Sequence, residues 1–189
     1  MADKQKTIQR EVSMQGVGLH TGVQVTMTFK PAPVDHGYKF KRVDLENQPT
    51  IAALAENVVD TARGTTIAKG DARVSTIEHV LAAAYSLDID NLLIEINGPE
   101  TPIMDGSAIT FFETLTKAGT VEQELDREYF VVRENVRYVN EEKGIEIIAY
   151  PDHKYSVDVL IDFNSKVLGH QYASLTELSD FGEQIASCR

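Results

Sequence analysis

The sequence predicts an α+β fold: a two-layer domain of sheet packed on helices, followed by a second domain of similar plan that is incomplete. Three observations carry this prediction. Period-two alternation comes first and a 3.6-residue apolar period follows it. That order, strands and then helix, occurs twice. Between the two occurrences lies a polar, charged stretch, "TVEQELDR", that begins at residue 120. The first domain is therefore set at residues 1–124 and the second at 125–189.

Each element has its own signal. Thr7 to Ser13 reads as an opening strand. Val23 to Lys30 alternates apolar and polar residues without a break, a half-buried strand stopped by Pro31 and Pro33. Between them, "GVGLHTG" at 16–22 places three glycines in seven positions, a turn where backbone approaches something closely. Tyr38 to Arg42 alternates again. Ser75 followed by Glu78 has capping-box spacing and opens a helix. Ile77, Val80, Leu81, Ala84 and Leu87 fall on one face of that helix. Leu92 to Ile96 is a short strand ended by Asn97-Gly98-Pro99. A second helix runs from Ser107 to Lys117, with Gly119 as its terminator. In the second domain, Tyr129–Arg133, Val136–Asn140, Ile145–Tyr150 and Tyr155–Phe163 read as strands, and Thr176–Ile185 as a helix.

Bulk composition narrows the function. The 189 residues are 42% hydrophobic and 25% charged, enough to bury a core in a globular protein. Net charge is −11, which disfavours nonspecific binding to nucleic acid or to an anionic bilayer. Lys39, Lys41 and Arg42 form the densest basic run, a candidate grip for an anionic substrate or a solvated face. One cysteine, Cys188, excludes an internal disulfide. No secretory h-region and no membrane-length apolar run is visible, so the reading is cytoplasmic.

The chemistry centres on "STIEHVL" at 75–81. Glu78 is either the acid of a capping box or a general base. His79 lies about 200° around the helix from Ile77, off the apolar stripe. It is either a surface imidazole or a metal ligand. The zincin pattern H-E-x-x-H is absent, because Glu precedes His and position 83 is Ala, so further ligands would come from elsewhere. Of the other histidines, His36, His153 and His170 have no ligand-pair spacing, and only His20 lies in a glycine-rich context. Asp105, in "PIMDGS", forms an Asx turn or orients an imidazole.

Three stretches carry a resemblance: "GVGLHTG" at 16–22, "STIEHVLAAAYSLDIDNLLIEINGPETPIMDGSA" at 75–108, and "IDFNS" at 161–165. Together, in order along nearly the whole chain, they resemble UDP-3-O-acyl-N-acetylglucosamine deacetylase, the zinc enzyme of bacterial lipid A synthesis. The resemblance implies two α+β domains with the active site between them, and hydrolysis of an acetamide by zinc-activated water. It makes Glu78 the general base and His79 the first zinc ligand. It sets His20 beside the substrate pocket, Asp105 as a supporting acid, and Phe163 as an aromatic near the nucleotide. The implied substrate is a UDP-linked acylated amino sugar, with no nucleic-acid partner and with membrane contact only through the acyl chain.

The family's other zinc ligands, a His and an Asp, and its general-acid His match nothing here. The chain is accordingly read as an N-terminal portion, expected to hold Zn2+ weakly and to lack deacetylase activity alone. An incomplete second sheet would expose an edge. The alternative from another class is a noncatalytic nucleotide-sugar-binding α+β module.

Overall fold

A computed structural model describes residues 3–189. The fold is α+β, with few helices and several small sheets. Packing divides the chain into two units. One ends at Asp126 and takes in Ser179–Arg189; the other is Arg127–Leu178.

In the first unit the elements run β1 (Lys4–Ile8), β2 (Val12–Val17), β3 (Gln24–Pro31), β4 (Tyr38–Arg42), β5 (Thr50–Ala52), β6 (Val58–Asp60), β7 (Thr66–Lys69) and β8 (Ala72–Val74). After these come α1 (Glu78–Ser86), β9 (Leu92–Ile96), α2 (Ile109–Ala118) and β10 (Thr120–Asp126). The main sheet has the order β2-β3-β9-β4-β5, antiparallel except where β9 runs parallel to β4. A three-stranded sheet is built from β6, β7 and β8, and β1 pairs with β10.

Alternation explains the main sheet. On β3, Val25, Met27 and Phe29 are buried, while the residues between them face outward. On β9, Leu92, Ile94 and Ile96 do the same. These side chains join one core with Val80, Ala83 and Ala84 of α1 and with Phe111 and Leu115 of α2. Each large side chain so buried contributes about 1.5–3 kcal/mol. The helix stripes follow the 3.6 period, as Phe111, Leu115 and Ala118 show on α2. Gly119 ends α2 at φ 71°, the terminator role expected of it.

Several boundaries differ from the sequence reading. The opening strand is two strands, because Gln9 leaves β1 and its N–H donates to the Gly119 carbonyl. Pro31 closes β3 instead of stopping it, paired in register with Leu92 at the strand end. The polar stretch from residue 120, read as the boundary between domains, forms β10, which pairs antiparallel with β1 and is exposed along almost all of its length; the first unit ends with it, at Asp126. The strands β5 to β8 were not foreseen, being short segments of three or four residues.

A buried amide cluster pins β1 and β10 to the rest of the unit. Asn91 Oδ1 accepts from Gly37 N at 2.8 Å, and its Nδ2 donates to Gln5 and Gln123 Oε1, each at 2.8 Å. The Asn91 carbonyl accepts from Thr7 Oγ1 at 2.6 Å. Every polar atom of Asn91's side chain is thereby used, which is what a buried amide requires.

The second unit, by itself, contains β11 (Val136–Asn140) paired with β12 (Ile145–Ala149), and β13 (Val157–Asp162) paired with β14 (His170–Leu175). These are two separate two-stranded sheets. Residues 129–133 form no strand, and β14 stands where no element was expected. Many apolar side chains here are exposed, Ile147 at 62% and Leu160 at 71% among them. The helix expected at Thr176–Ile185 is reduced to one turn, α3 (Phe181–Gln184), and it belongs to the first unit. There Phe181 is buried, its ring centroid 6.0 Å from that of Phe112.

Asn91→Ala would strand the Gly37 N–H and the side-chain oxygen of Gln123, and would leave Gln5 Oε1 with the Asp35 N–H alone. A loss of about 2–3 kcal/mol is expected from urea unfolding; an unchanged midpoint would contradict the bonding described.

Candidate functional site

The site grows from the turn that feeds α1. Ser75 does not cap this helix, contrary to the capping-box reading. Its N–H donates to the Pro99 carbonyl at 2.9 Å, and its Oγ accepts from Thr66 Oγ1 at 3.0 Å. Ser75 therefore belongs to the sheet side of the turn. The next residue, Thr76, has φ 59°, a left-handed conformation that a β-branched side chain adopts only under constraint. Such strain costs about 1–3 kcal/mol. The helix begins two residues later, with Glu78 in its first turn and Ile77 at the boundary without a side-chain cap.

Glu78 is half-buried, and its Oε2 accepts from Thr65 N at 2.8 Å. The same Thr65 accepts from Ile77 N through its carbonyl, at 3.3 Å. Residue 65 thus brackets the first turn of α1. His79 is also half-buried, and among the described residues no hydrogen bond or ion pair engages its ring. His20 is exposed, and its Nε2 lies 3.1 Å from the Arg63 carbonyl. A carbonyl only accepts, so Nε2 carries a proton there and donates it. The short run Arg63-Gly64-Thr65 therefore links the His20 ring to the Glu78 carboxylate. Gly64 makes this possible: its φ is 141°, and a Cβ there would sit 3.0 Å from Glu78 Oε1.

The glycine-rich stretch behaves as its composition suggested. Gly18 lies against Glu100, where an added Cβ would come within 2.5 Å of Oε2. Glu100 is itself fully buried. It accepts from His20 N at 3.0 Å, Thr21 N at 2.8 Å, Thr21 Oγ1 at 2.8 Å and Thr76 Oγ1 at 3.0 Å. Burial pushes this carboxyl up, but these hydrogen bonds outweigh burial and hold it below the usual range. Sequence reasoning passed over Glu100, because a glutamate in a Pro- and Gly-rich loop is by default a solvated residue.

Other expected residues lie in simpler settings. Asp105 is exposed, and its Oδ1 accepts from Ser107 N at 3.1 Å and Ser107 Oγ at 2.8 Å. Its Oδ2 accepts from Arg189 at 3.0 Å. The Ser107 bonds, aided by Arg189, hold its carboxyl below the usual range. This is the Asx-turn alternative, with partners Ser107 and Arg189 in place of an imidazole. A shallow groove beside it is lined by Gly16, Val17, Ile103, Met104, Asp105 and Thr110. Phe163 belongs to the second unit, in the turn between β13 and β14, 41% exposed, its N–H donating to Gly169.

The basic run is structural in large part. Lys41 and Lys30 both pair with Glu95, at 3.4 and 2.8 Å. Arg42 is buried and forks onto Asp44, through Nε at 2.9 Å and Nη2 at 2.8 Å. The fork fixes Arg42 against a neighbouring acid, not against an anionic ligand.

Among the described residues, no group of three or more His, Cys, Asp or Glu is arranged to hold a metal ion. A catalytic zinc usually takes three protein ligands. The donors in residues 3–189 therefore do not by themselves fit zinc; His79 supplies one imidazole.

An acid and an imidazole on the first turn of a helix, preceded by a strained turn and flanked by a glycine-rich loop, make up the candidate site on this α+β domain. Comparison with known proteins gives the family. A model of the family "LpxC: UDP-3-O-acyl N-acetylglycosamine deacetylase" matches residues 5–189. The chain belongs to this family. It is 50% identical over 98% of its length to a protein of Porphyromonas gingivalis named "Bifunctional enzyme LpxC/FabZ", of which the match covers 40%. It is 43% identical over 95% of its length to the UDP-3-O-acyl-N-acetylglucosamine deacetylase of Myxococcus xanthus, covering 55% of that protein. It is 41% identical over 98% of its length to the deacetylase of Helicobacter hepaticus, covering 61%. The chain thus spans 40% to 61% of the length of these relatives.

Gly64→Ala should displace the 63–65 run from Glu78. The Thr65 amide should then exchange with solvent at least tenfold faster, with about 1–3 kcal/mol lost on unfolding. Unchanged exchange would mean that Gly64 is not needed to seat the acid.

Proposed function

We propose that these residues form part of a zinc-dependent hydrolase that removes the N-acetyl group from a UDP-3-O-acyl-N-acetylglucosamine in lipid A biosynthesis. The observation that carries this reading is the Glu78–His79 pair: a carboxylate seated on the Thr65 amide beside a half-buried imidazole that no described residue engages. Family membership supports the reaction class.

In this reading Glu78 is the general base. Its Oε2 is fixed by Thr65, and Gly64, lacking a side chain, leaves Oε1 room to take the proton of the water that attacks the acetamide carbon. Holding the base in one orientation removes a search that would otherwise slow the step. His20 borders the sugar, with Nε2 spent on the Arg63 carbonyl. Phe163 is the aromatic near the nucleotide, and Asp105 supports the site from the turn before α2.

His79 is one zinc donor; the others would come from outside residues 3–189. Zinc, when bound, supplies Lewis acidity and an activated water. The reading places the protein in the cytoplasm. No helix among the described residues is long and apolar enough to cross a membrane.

The test is Glu78→Gln in the longer protein that carries these residues. Gln retains an oxygen for the Thr65 N–H but cannot take a proton. Turnover should fall by about 10²–10⁴-fold with unfolding unchanged. Retained turnover would make Glu78 structural and return the assignment to a noncatalytic sugar-nucleotide-binding module.

A further inference from the structure

Glu100 has no part in the chemistry just proposed. Yet it is a fully buried carboxylate, and among the described residues no cation pairs with it. A buried charge without an ionic partner persists only where hydrogen-bond donors replace water. Its donors come from two segments. One is the glycine-rich loop, through His20 N, Thr21 N and Thr21 Oγ1. The other is Thr76, through Oγ1. Both segments carry site residues: the first holds the His20 ring, and the second ends two residues before Glu78.

Thr76 gives this arrangement its directional effect. Its left-handed φ of 59° decides where α1 starts and so where Glu78 and His79 point. Two bonds hold it, one donated by its Oγ1 to Glu100 and one accepted by its carbonyl from Thr101 Oγ1. Loss of the Glu100 carboxylate would free one side of this strained residue and, in the same event, untie the backbone of His20.

We infer that Glu100 is a positioning residue that sets His20 and the Glu78–His79 pair in one fixed relation, acting through the Thr76 turn. The inference deepens the proposed function and rests on it where activity is read. It does not touch substrate, so its removal should alter geometry more than binding.

The experiment has two arms. In the 189-residue chain, Glu100→Gln keeps volume but turns one acceptor into a donor facing Thr21 and His20. Hydrogen exchange at His20, Thr21, Thr76 and Glu78 should rise at least tenfold, while Ile94 and Ile96 in β9 stay unchanged. In the longer protein, kcat on the acylated UDP-sugar should fall at least tenfold with KM within about threefold. Uniform exchange changes, or none, would overturn the inference. So would a loss of kcat no larger than the unfolded fraction. If the unsubstituted longer protein has no deacetylase activity, the proposed function fails, and the exchange arm still decides the role of Glu100. Should Glu100→Gln not fold, Thr76→Val removes one donor and keeps the shape. It should speed exchange at Thr76 and Glu78 and spare His20 and Thr21. Acceleration at all four sites, or at none, would count against the role.

Discussion

One buried charge ties the site together. Glu100 sits where water cannot reach it, and the cost of that burial is offset by donors that local folding has aimed at it. Two of them are backbone amides of a loop whose Gly18 has no side chain to block the approach. A third belongs to a threonine in a conformation it would not choose alone. The interaction therefore converts two separate loops into a single rigid mount. Site residues on loops need such a mount, since loops are otherwise the mobile part of a domain.

Beneath the mount lies ordinary sheet-and-helix packing. The buried rows of β3 and β9 meet the apolar stripes of α1 and α2, and the Asn91 amide cluster locks the outer pair β1 and β10 in place. The parallel pairing of β4 with β9 is the one non-antiparallel contact of the main sheet. The turn that follows β9, with Pro99 and Glu100, bridges back to Ser75. The path from core to site is short: β9, Glu100, Thr76, Glu78.

Regular elements of the first unit were legible because period alone defines them. Tyr38–Arg42 and Leu92–Ile96 stand as read, and α2 ends at Gly119 as read. What failed was context. The Ser75–Glu78 spacing satisfied a capping box, yet the serine's hydrogen bonds go to the sheet and the glutamate's goes to Thr65. The polar stretch after residue 120, read as the boundary, is itself strand β10, polar because nearly all of it is exposed. In the second unit, Val136–Asn140 stands as read and β12 and β13 lie within the strands read there; what the pattern missed is β14 and the shortness of the last helix. In the site, residue identity pointed to Glu78, His79 and His20. Glu100 was invisible, since its importance lies in burial and in bonds to partners up to 80 residues away.

The central claim is that Glu100 is a charged acceptor shared by the two loops. Its folded pKa is lowered, so the stabilisation it brings is complete above the ordinary glutamate value of 4.5 and is lost as pH falls through the folded value. The direct measurement is the pH dependence of the amide proton shifts of His20 and Thr21 by NMR. The account requires both amides to stay at the low field of carboxylate-bonded protons through pH 4.5. They should then move upfield together, with one midpoint below it. Separate midpoints, a shared midpoint above 4.5, or shifts typical of solvent-exposed amides at neutral pH would contradict it.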